Sequence, residues 1–199
     1  MKTYTIKKAN APITEESFAH ANVARVDCSP WPDTLCPFTV EARLLYDDEA
    51  IYVNMACDEH PVTAVHTERD SDVYCDSCME FFLAPNADDA SYINIEINAI
   101  GTMLLHQGYD RHNNKKLPVA DEIFDIKTVI TQKGWQLFYK VPFSFLTEYF
   151  GKVTDTMHGN FYKCGDETPH MHHAMWSPID LPEPDYHRPE FFGEIILEK

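Results

Sequence analysis

Short segments that alternate strictly between large apolar residues and other side chains constrain the fold of this chain most strongly. Because successive side chains of a strand point to opposite faces, residues of one parity share a face. In segments 78–84 and 91–98 one parity carries a row of large apolar residues, Met79, Phe81, Leu83, Ile93, Ile95 and Ile97. Residues 85–90 between them carry the Pro, Asn and Asp that favour turns. We therefore expect a β-hairpin with one face in the core.

Similar segments recur along the chain and predict its architecture. Residues 38–44 and 51–57 form a second expected hairpin, and further strands are predicted at 102–106, 123–130, 135–141, 159–164 and 191–197. Residues 143–150 have helical spacing between Pro142 and Gly151, whereas 166–189 lacks any period and is expected to be a long ordered loop. The pattern favours an all-β fold, a two-sheet antiparallel β-sandwich with one short helix over a single domain 1–199. An up-and-down barrel is the alternative.

Charge and hydropathy exclude several classes of partner. Lys and Arg number 16 against 32 Asp and Glu, a formal net charge of −16, which disfavours a nucleic-acid partner. The apolar runs are too short for a signal peptide or a membrane span, so no membrane partner is predicted. As written, the chain is expected to be cytoplasmic, or extracellular if a leader was removed. Its six cysteines are then expected to be free thiols.

The second face of the central hairpin carries the most informative polar pattern. Opposite the apolar parity lie Glu80, Phe82, Tyr92, Asn94, Glu96 and Asn98. Carboxylates and carboxamides form paired hydrogen bonds in fixed geometry, and aromatic rings offer flat apolar surface. Together they suit a ligand with adjacent hydroxyls and an apolar C–H face, which is typical of a sugar. A solvated outer face is the plainer interpretation.

Two further functions fit parts of this pattern. Glu80 and Glu96 on neighbouring strands are compatible with a small glycoside hydrolase, which needs two carboxyl groups about 5–10 Å apart. No insertion that would build a catalytic pocket is evident, so we rank binding above catalysis. A third class is an interaction or structural domain whose polar face meets only water.

Candidate metal ligands occur in three places, although no cofactor is required by the sequence. Asp47 and Asp48 in a turn and Asp76 at a strand entrance are candidate Ca²⁺ ligands through hard oxygens. The cluster His170, His172 and His173, with His158 and His187 elsewhere, is a candidate transition-metal site. Cys75 and Cys78 form a C-x-x-C motif, but a strand follows it where a redox motif would open a helix.

Several stretches, taken in order, resemble the family 9-like carbohydrate-binding proteins. They are 46–53, 76–83, 92–101, 135–143, 160–166 (NFYKCGD) and 187–194 (HRPEFFGE), and the last two are the most specific. The resemblance implies a β-sandwich of the type shared with DOMON-like domains, non-catalytic binding of a mono- or oligosaccharide in polysaccharide utilisation, and often structural Ca²⁺.

The same resemblance implies which residues contact the sugar. Family 9 modules clamp a sugar between two aromatic rings, one of them six residues before a glutamate on the binding face. Tyr74 stands six residues before Glu80, and Trp176 in the late loop is the candidate second ring. The predicted ligand-binding residues are therefore Tyr74, Glu80, Tyr92, Asn94, Glu96, Asn98, Trp176, His187 and Arg188.

Overall fold

Strands account for most of the regular structure of the protein. The computed structural model describes residues 1–10 and 12–199. Its strands are β1 (Thr3–Lys8), β2 (Ala24–Arg25), β3 (Val40–Tyr46), β4 (Ala50–Cys57), β5 (Cys78–Ala84), β6 (Tyr92–Asn98), β7 (Met103–Gly108), β8 (Asn114–Lys116), β9 (Lys127–Thr131), β10 (Gly134–Pro142), β11 (Thr156–Cys164), β12 (His173–Met175) and β13 (Gly193–Leu197). Helix α1 spans Phe143–Phe150, and 3₁₀ turns span Glu15–His20, Pro32–Thr34, Val73–Cys75, Asp121–Phe124 and Pro189–Phe191.

The strands form one continuous, curled path. Its order is β8-β7-β6-β5-β11-β13-β1-β3-β4-β10-β9, with β12 attached to β11 and β2 attached to β3. Strand β1 pairs in parallel with both β13 and β3. It thereby joins the two halves of this path, one running from β8 to β13 and the other from β3 to β9. The prediction of a purely antiparallel fold is therefore wrong at β1, whose pairing partners lie far along the sequence. The mostly-β prediction is confirmed.

One large hydrophobic core lies between the two halves of this path. Met79, Phe81 and Leu83 of β5 are buried in the same cluster as Leu44 of β3 and Leu137 of β10. The apolar parity predicted for the central hairpin therefore faces the core, as expected. Antiparallel register places Phe81 opposite Ile95, which stacks the two strands' core residues in rows.

The opposite face of the hairpin is also covered. All seven residues of β5 and all seven of β6 are buried. A second hydrophobic cluster covers this face and includes Phe82, Tyr92, Tyr162, Tyr186 and Phe192. The alternative of a solvated outer face is thus wrong, because the late loop folds back over the sheet.

One predicted element matches the structure in its bounds, and two predicted segments differ from it. Helix α1 has the bounds expected from its spacing, and it ends at Gly151, where a positive φ of 75° suits a glycine. The predicted strand 123–130 divides into a 3₁₀ turn and β9. The predicted loop 166–189 contains the three-residue strand β12.

A buried ionic network also connects the two halves. The Nζ of Lys163 in β11 lies 3.0 Å from Oε2 of Glu59 and 2.7 Å from Nε2 of His172. The indole nitrogen of Trp135 in β10 donates to the same Glu59 oxygen at 3.2 Å. Burial opposes the lysine charge, but the neighbouring groups, with the Glu59 carboxylate foremost, together outweigh it and hold the pKa of Lys163 above its ordinary value. A buried charge is thereby paired rather than isolated.

Candidate functional site

A pocket of about 520 Å³ opens on the covered face of β5, β6, β7 and β8. Its floor consists of strand residues and its walls of loop residues. The lining includes Asp70, Asp72, Tyr74, Glu80, Asn94, Glu96, Leu104, His106, Arg111, Asn114, Lys116, Cys164, Asp166, His173, Pro184, Asp185, Tyr186 and His187.

Strand register arranges the floor in two rows. Glu96 lies opposite Glu80 on one side and Leu104 on the other. Two residues away, Asn94 lies opposite His106, which in turn lies opposite Lys116. Because directly opposed residues share a face, each row presents its side chains to the same pocket.

The two floor carboxyl groups have strongly perturbed protonation. Burial and the neighbouring Glu96 carboxylate raise the pKa of Glu80 well above its ordinary value. Burial likewise raises the pKa of Glu96 to about 7, although the amide of Asn94 donates to its Oε1 at 2.8 Å. The Cys164 thiol donates to Oε1 of Glu80 at 2.7 Å. Close, desolvated carboxyl groups of this kind are frequent at functional sites.

Three polar atoms of the pocket lining are buried without a hydrogen-bond partner among the residues that the structure describes. They are Oδ1 of Asn94, Nε2 of His106 and Nδ1 of His173. Leaving a buried polar atom unsatisfied costs about 1–3 kcal/mol. A polar ligand that enters the pocket would remove this cost.

The loop wall is held by specific side-chain contacts. The Tyr92 hydroxyl lies 2.8 Å from Nδ1 of His187, and Nε of Arg188 donates to Oδ2 of Asp185 at 2.7 Å. Arg111 donates to Oδ1 of Asp185 at 3.3 Å. Burial and the Arg111 charge lower the pKa of His187 to about 4, so its imidazole is neutral at pH 7.

Comparison with known proteins identifies the family of this chain. The sequence model of carbohydrate-binding family 9 matches residues 13–197. The chain belongs to carbohydrate-binding family 9. The family predicted from the sequence motifs is thereby confirmed. No curated protein matches the chain.

Solved structures share the fold of this family 9 protein. A candidate carbohydrate-binding protein from Bacteroides uniformis is 28% identical over 99% of both chains, with a TM-score of 0.84. A family 9 module from Caldicellulosiruptor kristjanssonii in complex with glucose is 15% identical, covering 99% of this chain and 96% of that one, with a TM-score of 0.69. A family 9 module from the same organism in complex with cellotriose is 14% identical, covering 99% of this chain and 94% of that one, with a TM-score of 0.67.

Most of the predicted ligand-binding residues of this family 9 protein meet at the pocket. Tyr74, Glu80, Asn94, Glu96 and His187 line it directly. Tyr92 lies outside the lining, stacked against Phe82, and Arg188 contacts Asp185. These two residues therefore position the wall, and the prediction that they line the site is corrected.

Asn98 has a structural role in this family 9 protein. Its amide donates to Oδ2 of Asp76 at 2.9 Å and to the His66 carbonyl, and its Oδ1 accepts from the Thr102 amide at 2.9 Å. Asn98 is fully buried and is absent from the pocket lining. Its prediction as a ligand contact is wrong, because it closes the turn after β6.

Trp176 is a core residue and is not a ring of the pocket. Only 4% of its surface is exposed, and its ring packs edge-on against Tyr4 and Phe161 with centroids 6.3 and 5.7 Å away. A Cβ at Gly193 would lie 2.4 Å from the indole, so the glycine permits this close packing. The predicted second ring is therefore wrong. Strand β12 ends at Met175 and carries the following Trp176 inward.

The calcium candidates already make contacts within the protein. Oδ1 of Asp47 accepts from the amides of Glu49 and Ala50, and Asp48 pairs with Lys8 at 2.6 Å. Asp76 accepts from the amides of Val65 and His66 and from the amide group of Asn98. These bonds explain why acidic residues occur at the turn and at the entrance to β5.

The histidine cluster does not converge on one point. Nε2 of His172 contacts Lys163, Nε2 of His173 lies 3.0 Å from Asp166, and His170 is exposed. Cys75 lies in a 3₁₀ turn, whereas Cys78 opens β5. All six cysteines are free thiols in the structure.

Sequence reasoning missed the pocket residues that come from loops and edge strands. His106, Arg111 and Lys116 lie on or beside β7 and β8, and Asp166 and Asp185 lie in the late loop. The alternation of side chains within β7 is one signal that could have identified His106. His106 shares its face with Leu104, which lies opposite Glu96.

Proposed function

We propose that this protein binds a mono- or oligosaccharide in the pocket above β5, β6 and β7, without chemical turnover. The observation that carries the proposal is the set of unsatisfied polar atoms on a floor that also holds two carboxyl groups. Oδ1 of Asn94 accepts hydrogen bonds, and the carboxyl groups of Glu80 and Glu96 accept or donate according to protonation. Sugar hydroxyls both donate and accept, so they match such a mixed set.

Family membership supports the ligand class. The family 9 modules from C. kristjanssonii were solved with glucose and with cellotriose. Their fold covers almost the whole of this chain. Glucose and cellotriose are therefore the first ligands to test here.

Aromatic contact is proposed at Tyr74 on one wall. Its side chain is half-buried, and it lines the pocket beside the floor carboxyl groups. The second wall, residues 184–187, supplies Pro184 and the neutral imidazole of His187 in place of the expected tryptophan. Apolar surface buried against a sugar ring contributes about 25 cal/mol per Å².

A non-catalytic role is proposed for the Glu80 and Glu96 pair. A hydrolase needs one group that stays ionised and one that is protonated, each with access to the scissile bond. Here the Cys164 thiol occupies one oxygen of Glu80, and the Asn94 amide occupies one oxygen of Glu96. The pair is thus held by neighbours that suit recognition. Ca²⁺ binding at Asp47, Asp48 or Asp76 stays a prediction.

Calorimetric titration with glucose, cellotriose and a panel of other oligosaccharides tests the proposal, together with chromatography of the sugars after prolonged incubation. We expect saturable binding of at least one sugar and unchanged sugar at the end. Released monosaccharide, lost in Glu80→Gln and Glu96→Gln, would instead establish a hydrolase. Failure of every sugar to bind would refute the binding proposal.

A further inference from the structure

Three side chains with metal-binding atoms form a row across β5, β11 and β12. Cys164 of β11 lies directly opposite Cys78 of β5 in the antiparallel register. On its other side Cys164 lies directly opposite His173 of β12. Directly opposed residues place their side chains on one face of a sheet. The two thiols and the imidazole therefore share a face, although they are distant in sequence.

Glu80 adds a carboxylate to this row. It lies two residues after Cys78 on β5, so both side chains leave the strand on the same side. A thiol sulfur from Cys78, another from Cys164 and a carboxylate oxygen of Glu80 all lie within 4.8 Å of one another. All three residues are buried, and Glu80 and Cys164 also line the pocket.

His173 has the hydrogen bonding of a metal-ligating histidine. Its Nε2 lies 3.0 Å from Oδ1 of Asp166, which favours the proton on that nitrogen. Its Nδ1 is then an acceptor, and it is buried with no hydrogen-bond partner among the described residues. Histidines that bind metals usually donate their other ring N–H to a carboxylate in this way.

The composition of the cluster selects the kind of ion. Two thiols, one carboxylate and one imidazole suit Zn²⁺ or a chemically similar ion, whereas Ca²⁺ and Mg²⁺ require oxygen ligands. Tetrahedral Zn²⁺ has sulfur ligands at about 2.3 Å and nitrogen or oxygen ligands at about 2.0–2.2 Å. Donors of such a site lie about 4 Å apart or less, so the three close donors need only small side-chain movements.

We propose that Cys78, Cys164 and Glu80, with His173 as fourth ligand, form a site for Zn²⁺ or a similar divalent ion at the base of the pocket. The inference does not depend on sugar binding, although the two proposed sites share Glu80. Burial raises the pKa of Cys78 to about 11 and also raises that of Cys164, so both are protonated without metal. Binding forms two metal–sulfur bonds and one metal–oxygen bond to Glu80, and it releases to the buffer the two thiol protons and the proton held by the Glu80 carboxyl group.

Titration of the full chain with Co²⁺, without sugar and with a phosphine reductant that keeps the thiols free, tests the proposal. Co²⁺ binds to the same kinds of site as Zn²⁺, and its absorption spectrum depends on which ligands bind it. We expect about one ion per chain, a thiolate-to-cobalt charge-transfer band in the near ultraviolet and the intense visible bands of tetrahedral cobalt. Added Zn²⁺ should displace the Co²⁺ and so remove these absorption bands. Absence of the charge-transfer band at saturating Co²⁺ would overturn the proposal.

Variants assign the ligands. Cys78→Ser and Cys164→Ser keep the side-chain size, and each should lose the charge-transfer band or weaken binding at least tenfold. Cys28→Ser, outside the cluster, is the matched control and should bind like the unmodified protein. His173→Gln should weaken binding about 10–100-fold. A band unchanged in both Cys78→Ser and Cys164→Ser would contradict the assignment, and unchanged affinity in His173→Gln would exclude that residue.

A measurement on the unmodified protein covers the case in which a cysteine variant fails to fold. Zn²⁺-loaded and metal-free protein are alkylated in mild denaturant, and the labelled cysteines are identified by peptide mass spectrometry. We expect Zn²⁺ to protect Cys78 and Cys164 selectively. Equal protection of Cys28, Cys36, Cys57 and Cys75, or no protection, would overturn the site.

Discussion

Glu80 and Glu96 lie directly opposite each other on β5 and β6, and both side chains are buried. Like charges in opposed strand positions are unfavourable, and burial makes ionisation more costly still. The pKa of Glu80 is therefore raised well above its ordinary value, and that of Glu96 is raised to about 7. The pair holds protons near neutral pH and titrates as a unit.

Sugar affinity should consequently depend on pH near neutrality. A hydroxyl that donates to an ionised carboxylate favours the ionised form, so sugar binding lowers the pKa of Glu96. By linkage, affinity should rise between about pH 6 and pH 8. Calorimetric titrations across this range measure the slope. Glu96→Gln should remove most of it, whereas Lys7→Ala, a change at a half-buried position of β1 outside the pocket lining, should keep it. A slope that persists unchanged in Glu96→Gln would contradict this assignment.

Trp176→Ala should destabilise the protein as strongly as Trp135→Ala. Both indoles are buried in the main core, at 4% and 1% exposure. Removing a buried tryptophan costs about 3–5 kcal/mol because a cavity remains. Denaturant unfolding of both variants measures these costs. A cost below about 1 kcal/mol for Trp176→Ala would show that the ring is on the surface.

Glu59→Ala should be strongly destabilising, because it leaves the fully buried Lys163 ammonium without its carboxylate partner. Breaking a buried ion pair in this way costs about 3–5 kcal/mol. Asp48→Ala is the matched control, since its ion pair with Lys8 is exposed and contributes about 0–1 kcal/mol. Equal costs for the two variants would show that Lys163 finds another partner or releases its proton.

His172 should make the protein less stable in mild acid. Burial and the Lys163 charge lower the pKa of His172 to about 4 in the folded state. Between this value and the ordinary pKa of about 6.5, the unfolded chain binds the additional proton. The stability contribution of neutral His172 is therefore present above about pH 6.5 and is lost as pH falls toward 4. Unfolding free energies of the unmodified protein and His172→Gln, measured across this range, should converge on acidification. Parallel pH profiles would contradict the lowered pKa.

Local patterns predicted much of the site, and long-range contacts account for what they missed. Alternation within β5 and β6 was enough to place Glu80, Asn94 and Glu96 on one face and Phe81 and Ile95 in the core. The inward position of Trp176 depends on β12, which has three residues and pairs with the distant strand β11. A strand this short has no recognisable alternation in the sequence.

The pairing of Cys78 with Cys164 was hidden for a related reason. The C-x-x-C motif places Cys75 near Cys78 in the sequence, but the register between β5 and β11 places Cys164 opposite Cys78 in the fold. The loop wall of the pocket has no sequence period. Its residue His187 was predicted from the family resemblance, whereas Asp185 and Tyr186 line the pocket because the late loop folds over the sheet.

A crystal structure of the protein soaked with a sugar that saturates binding tests the central claim most directly. We predict electron density for the sugar in the pocket beside Tyr74, with oxygens within hydrogen-bonding distance of Oδ1 of Asn94 and Nε2 of His106. An empty pocket at saturating sugar, or a sugar bound on another surface, would contradict the account.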